Sequence, residues 1–214
     1  MHIEVLVEDS SGATLVKALL PKLIGENGAP HTWRVHAFRG MGQLPRDLDM
    51  ASDPAQKTLL ARLPGILKAH GKTAGIGAVV VVLDSDWRDC KLFLRELKAI
   101  LKHCEPAPNT LFRLAIEEVE AWYLGDRPAL YSAYPRTKKN VLKRYKQDGV
   151  CGTWELLADA IHPGGSGILR KAGWPLPGQV KHEWAERIAD HMNVEKNQSP
   201  SFCKLRDGIR RLLA

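Results

Sequence analysis

Residues 78–90, AVVVVLDSDWRDC, decide the architecture. From Ala78 to Leu83 every position is apolar, so neither face of the strand this predicts suits water. Such a strand belongs in the middle of a parallel sheet with helices over both faces. The run then stops at Asp84 and Asp86. Side chains two apart in an extended chain point to the same side, so both carboxylates leave the strand end together.

Outward from this strand, the pattern alternates strand and helix. Residues 3–7, IEVLV, predict a strand that ends at Glu8, and 33–38, WRVHAF, a second. Between them, 12–24 carries Ala13, Val16, Leu19, Leu20 and Leu23 at helical spacing, with Ser10 or Ser11 as the N-cap. Residues 54–69 predict a helix with Leu59, Leu60, Leu63 and Leu67 on one face, kinked at Pro64. After the central strand, Phe93, Leu94, Leu97, Ile100 and Leu101 form another helical stripe, and 110–116 a fourth strand. This order implies βαβ units in an open, mainly parallel α/β sheet flanked by helices, a Rossmann-like class.

Beyond residue 117 the strand signal fades. EEVEAWYLGD (117–126), 182–192 and 202–213 read as helices, and the glycine- and proline-dense stretch 163–178 as loop. The expected organisation is an α/β domain over 1–125 and a mainly helical extension over 126–214 packed on it as one compact unit. The N-terminus lacks a signal-peptide layout, and no apolar run is long enough to span a bilayer, so a cytoplasmic protein without a membrane partner is expected. Cys90, Cys104, Cys151 and Cys203 form no CxxC pair, which argues against a zinc knuckle or a disulfide framework. A net charge of +7 favours an anionic partner such as nucleic acid, although many basic enzymes bind none.

In open parallel sheets, reactive groups gather at the carboxyl ends of the strands. Three such ends carry acids here: Glu8, then Asp84 and Asp86, then Glu117, Glu118 and Glu120. Carboxylates crowded into one crevice repel unless a cation neutralises them. Hard oxygen donors of this kind suit Mg²⁺ or Mn²⁺ beside a substrate phosphate. The competing reading for Asp86 is a plain cap on the following helix.

A strand ending in glutamate, VLVEDSS, followed by an apolar strand ending in DxD, VVVVLDSD, resembles the Toprim domain of topoisomerases, primases and overcoming-lysogenisation-defect (OLD) nucleases. More closely, the blocks VLDSDWRDC, LAIEEVEAWYLGD and NQSPSFCKLRDGIRRL are similar, in that order, to a Toprim-like family of unknown function. The resemblance implies Mg²⁺-dependent phosphodiester chemistry, with Glu8 as metal ligand or general acid/base and Asp84 and Asp86 as metal ligands. It also implies a neighbouring ATPase partner of phage-defence type. OLD nucleases commonly place a second glutamate four residues after the first. Gly12 stands there, so a two-metal site would draw its further ligand from Glu118 or, by preference, Glu120.

Residues 127–146 hold Arg127, Arg136, Lys138, Lys139, Lys143, Arg144 and Lys146 without an acid, interleaved with Tyr131, Tyr134 and Tyr145. Lys138, Lys139, Lys143 and Arg144 would neutralise phosphates while the tyrosines stack on bases; a solvated helix face is the alternative. PGGSG (163–167) lacks the Lys-Ser or Lys-Thr of a P-loop, and the histidines show no HExxH. Trp122 and Trp184 read as core, and Ser199 and Ser201 as caps of the last helix. The expected function is a Mg- or Mn-dependent nuclease of DNA or RNA in an anti-phage or toxin-like system. The alternative is a non-catalytic regulatory or binding subunit of a partner ATPase.

Overall fold

A computed structural model describes residues 1–45, 47–48 and 55–214. Its centre is one four-stranded sheet of His2–Val7 (β1), Thr32–Ala37 (β2), Ile76–Asp84 (β3) and Thr110–Ala115 (β4). The strand order is β2-β1-β3-β4 and every pairing is parallel. The α/β class read from the sequence is therefore the observed one. Alternate residues of β3 serve two cores. Val80 and Val82 join the cluster built on Ile3, Val5 and Val7, whereas Val79, Val81 and Leu83 join one built on Leu59, Leu60, Phe93 and Leu97. A period of two with both faces buried explains why no polar residue interrupts 78–83.

The helices are Ser10–Ile24 (α1), Leu59–Lys72 (α2), Cys90–Lys102 (α3), Glu120–Leu124 (α4), Arg127–Ala133 (α5), Thr153–Ile161 (α6), Gly165–Ala172 (α7), Leu176–Ala189 (α8) and Pro200–Leu213 (α9). A 3-10 turn covers Val141–Arg144. Helices α2 and α3 supply the core on one face of the sheet; α1 and α4–α9 supply the other. One hydrophobic cluster runs from Ile3 to Ile209, so the core is continuous across the expected boundary near residue 125. No helix among the described residues is long and apolar enough to cross a membrane.

Four local expectations are corrected. The N-cap of α1 is Asp9, not Ser10 or Ser11: its carboxylate accepts the Gly12 amide at 2.7 Å, and Ser11 Oγ donates to the same carboxylate. The stretch 163–178 is not all loop, because it contains α7 and the start of α8. Two supports outweigh the weak helix propensity of Gly165 and Gly167: the Asp159 carboxylate accepts the Ser166 amide, and Leu169 is fully buried. The helix expected over 117–126 is confined to Glu120–Leu124, since Glu117 adopts φ 61° and cannot join it. The helix expected from Pro54 begins, within the described residues, at Leu59; Pro54 itself lies outside them.

The second and third sequence blocks meet in space. Trp122 is fully buried, donates from Nε1 to Ser201 Oγ at 2.9 Å, and meets the Phe202 ring edge-on at 5.8 Å. Asn197 Nδ2 donates to the Trp122 carbonyl, and the Gln198 amide to the Gly125 carbonyl. A Cβ on Gly125 would lie 2.2 Å from Asn197 Oδ1, so only glycine allows this approach. Ser199 caps α9 as expected, accepting the Phe202 amide. Trp122→Ala is expected to destabilise the protein by about 3–5 kcal/mol, through lost burial plus the cavity left behind. Ser201→Ala, which orphans only the indole N–H, should cost about 1–3 kcal/mol. Urea unfolding checks both values, and equal losses in the two variants would contradict this ranking.

Candidate active site

The register of the sheet sets the site. Val7 pairs with Val82 and Asp84 with Ala115, so β3 extends two residues past β1 and Asp84 comes one place beyond the level of the residue after Val7. That residue is Glu8, whose Oε2 accepts the Asp84 amide at 3.1 Å. Asp84 Oδ1 in turn accepts the Val119 amide at 3.0 Å, tying the end of β3 to the segment that follows β4. Among the described residues, Glu8, Asp84 and Asp86 form no ion pair.

The turn beyond the strands is unusual in its backbone. Asp86 and Glu117 both have positive φ, 47° and 61°, and pair through an isolated antiparallel bridge in which the Asp86 amide donates to the Glu117 carbonyl. Ser85 Oγ accepts the Glu117 amide at 2.8 Å. Left-handed residues without glycine are costly and collect at sites where geometry outranks stability.

The three acids after β4 have separate fates. The Glu117 carboxylate accepts the amides of Cys151, Gly152 and Thr153 and the Thr153 hydroxyl, and so sits on the N-terminus of α6. Burial would raise its pKa, but these hydrogen bonds outweigh it and hold the carboxylate below its ordinary range. Glu118 Oε1 lies 3.1 Å from Lys181 Nζ, and its Oε2 accepts the Trp154 amide. Glu120, 1% exposed, places Oε1 3.3 Å from the same Nζ and leaves Oε2 buried without a hydrogen bond. Two carboxylates thus share one ammonium.

The charge state follows from this crowding. Burial, with the Asp86 and Asp9 charges, pushes Glu8 up to about 7 despite the hydrogen bond from the Asp84 amide. Burial and the neighbouring Glu8 and Glu120 raise Asp84 well above the usual carboxylate range. Burial and Glu120 raise Glu118 to about 7, partly offset by Lys181. Burial of Lys181 opposes its charge, but Glu120, Glu118 and Asp84 overcome it and raise its pKa.

A cleft of about 1060 Å³ opens over Glu8, walled by Arg39, Trp154, Trp174, Lys181 and His182. The expected core acids, Glu8, Asp84 and Asp86, therefore lie at one end of the sheet, coupled electrostatically. Glu120, expected as a further metal ligand, is instead buried against Lys181. No group of three His, Cys, Asp or Glu side chains among the described residues is arranged to hold a metal ion. The fit to a hard cation thus lies in donor chemistry, namely unpaired and mutually repelling carboxylates, and not in a preformed cage. The 63-residue separation of Lys181 from Glu118 leaves no local pattern in the sequence that would reveal this pair.

The basic stretch is divided. Lys138, Lys139, Lys143 and Arg144 are exposed, as a polyanion surface requires. Arg127 instead donates to the carbonyls of Leu142 and Tyr145. The tyrosines are not open platforms, contrary to expectation. Lys139 covers one face of Tyr131 and Arg187 one face of Tyr134, while the Tyr145 hydroxyl is buried. Arg136 and Lys138 line a separate cavity of about 640 Å³ with Val180, Glu183 and Trp184.

Comparison of the chain with protein families, curated proteins and solved structures gives no match. Chemistry alone carries the reading of the site.

The raised carboxyls carry a pH signature. A group whose pKa is higher folded than unfolded stabilises the fold below its unfolded pKa, and this contribution is lost as pH rises through the folded pKa. For Glu8 and Glu118 the window runs from about 4.5 to about 7. Metal-free protein is expected to lose roughly 3–6 °C in Tm between pH 5 and pH 8, and Glu8→Gln should remove a large part of that slope. Differential scanning calorimetry across this range decides it; parallel pH profiles for the two proteins would contradict the assignment to Glu8.

Proposed function

We propose that the chain is a divalent-metal-dependent phosphodiesterase, a nuclease acting on DNA or RNA, and a Toprim-like member of an anti-phage or toxin-like system. The observation that carries this reading is the junction of Glu8 and Asp84 at the carboxyl ends of adjacent parallel strands, with Asp86 beside them and, among the described residues, no ion pair to balance the three. Glu8, Asp84 and Asp86 would hold Mg²⁺ or Mn²⁺, which supplies activation of water and neutralisation of phosphate charge when bound.

The chain's own residues do the rest. The Val119 amide fixes the Asp84 carboxylate, and the Asp84 amide fixes that of Glu8, so both oxygens are oriented before any ligand arrives. Lys181 restrains Glu118 and Glu120 behind them. Arg39, exposed on the cleft wall, is placed to meet a phosphate, and the exposed Lys138, Lys139, Lys143 and Arg144 extend the positive surface available to a polyanion.

One observation favours a second reading, a regulatory or binding subunit of a partner ATPase that keeps the acidic pocket without turnover. Lys181 already neutralises part of the cluster with an internal cation, as a pocket maintained without metal would need. Isothermal calorimetry separates the two: Mn²⁺ binding that is lost in Asp84→Asn supports the enzyme, and no heat together with stable ATPase association supports the subunit.

Purified protein with Mg²⁺ or Mn²⁺ is expected to cleave nucleic acid, and Glu8→Gln or Asp84→Asn to reduce the rate by at least about a hundredfold. Cleavage that persists in both variants would refute this site. Reversal of Lys138, Lys139 and Lys143 to glutamate should weaken nucleic-acid binding at least about tenfold and flatten its salt dependence. Unchanged binding isotherms in that triple variant would remove the patch from the interface.

A further inference from the structure

Six tryptophans are distributed very unevenly with respect to water. Trp122 and Trp184 are buried, as core residues should be, and Trp33 and Trp154 are half-buried. Trp87 and Trp174, in contrast, are 89% and 82% exposed. A single exposed apolar side chain is ordinary. These two, however, are at the same functional end of the fold. Trp87 directly follows Asp86, and Trp174 lines the cleft that opens over Glu8.

Trp174 is also held in place. A Cβ on Gly178 would come within 2.3 Å of Trp174 Cη2 and 2.6 Å of Cζ3, so the benzo edge of the indole rests directly on the backbone of α8. The glycine gives the ring a seat without covering it. Across the same cleft, Trp154 has the cations of Arg170 and Lys181 at 5.8 Å and 5.7 Å from its ring centroid, and Arg39 and His182 complete the wall. A fixed, uncovered indole beside cationic side chains, above a carboxylate cluster, suits a strand whose phosphates meet the cations and whose base stacks on the ring.

We infer that the substrate is single-stranded or locally unpaired nucleic acid, and that Trp174 is the stacking platform for an unpaired base beside the acidic site. The inference rests on the phosphodiesterase reading for the word substrate, but its binding claim stands apart from turnover. A duplex hides the faces of its bases within the stack and offers Trp174 nothing to cover. The tyrosines of residues 127–146 are half-buried, with a cation over one face of Tyr131 and of Tyr134; the exposed ring beside the acidic site is Trp174, just before α8.

The test is equilibrium binding of labelled oligonucleotides of roughly ten nucleotides, followed by fluorescence anisotropy in EDTA so that no hydrolysis occurs. A single strand is expected to bind at least about tenfold more tightly than a duplex of the same sequence. Trp174→Ala should weaken single-strand binding about tenfold, Trp174→Phe should keep most of it, and an abasic strand should lose affinity for the wild type as Trp174→Ala does for the intact strand. Because Trp174 is exposed, the variants should melt as the wild type does, and circular dichroism confirms that the comparison is fair. Equal affinity for single strand and duplex, or full affinity in Trp174→Ala, overturns the inference. So does a Trp174→Ala variant that binds oligonucleotides normally but fails to associate with an ATPase partner, which would make Trp174 a protein-docking residue. Trp174-dependent binding without any cleavage in Mg²⁺ or Mn²⁺ sinks the phosphodiesterase reading alone. Duplex cleavage undiminished in Trp174→Ala sinks this inference alone.

Discussion

The site depends on one ammonium shared by two carboxylates. Lys181 reaches from α8 to Glu118 at 3.1 Å and Glu120 at 3.3 Å, and all three groups are largely withdrawn from water. Desolvating three charges is expensive, and an internal pairing repays it only where hydrogen bonds satisfy the remaining lone pairs. Glu118 meets that condition through the Trp154 amide; Glu120 does not, having one oxygen without a partner. The arrangement therefore carries an excess negative charge, and that excess bears on Asp84. Removal of Lys181 would leave Glu118 and Glu120 buried without a counter-charge.

Much of the C-terminal half acts to hold that segment. Glu117 anchors it to the N-terminus of α6 through three amides, and Asp84 anchors it to β3 through the Val119 amide. Behind it, Trp122 is clamped by Ser201 and Asn197, while Asp148 accepts from Ser199 Oγ and from the Ser201 amide. The sequence blocks around EAWYLGD and NQSPSF are thus two sides of one buried joint. Their separation of more than seventy residues is bridged by α5–α8, which is why α8 and α9 close over the same face of the sheet as α1.

The parts of this arrangement visible in the sequence were those with local causes. The central strand announced itself because both of its faces are buried, and Glu8, Asp84 and Asp86 followed because strand ends in parallel sheets collect at one edge. Even the role of Ser199 as a cap was readable from its position before an apolar helix. What escaped was set by partners distant in the chain. Asp9 outcompetes Ser10 and Ser11 as a cap through geometry at the end of β1. Helix α7 survives two glycines because Asp159 and a buried leucine support it. Lys181 and Trp174 have no periodicity that distinguishes them; their neighbours come from Glu118, Glu120 and Gly178, and only the assembled fold brings them to the cleft.

Gly12 bears on the number of metal ions the proposed site would take. A Cβ there would lie 3.0 Å from Val7 Cγ1 and 3.2 Å from Asp9 Oδ1, because α1 begins hard against the end of β1 and its cap occupies the remaining space. A second glutamate at this position would press on the end of β1 and on its own helix cap. The acids expected to compensate, Glu118 and Glu120, are already committed to Lys181. Among the described residues, Glu8, Asp84 and Asp86 are the sheet-end carboxylates that neither pair with a cation nor cap a helix, with the Lys181 ammonium behind them. Three acids balanced in this way suit one divalent ion. A second ion would need oxygen donors from Glu118 and Glu120 and would have to take the place of Lys181 between them, and the burial of all three groups opposes that exchange.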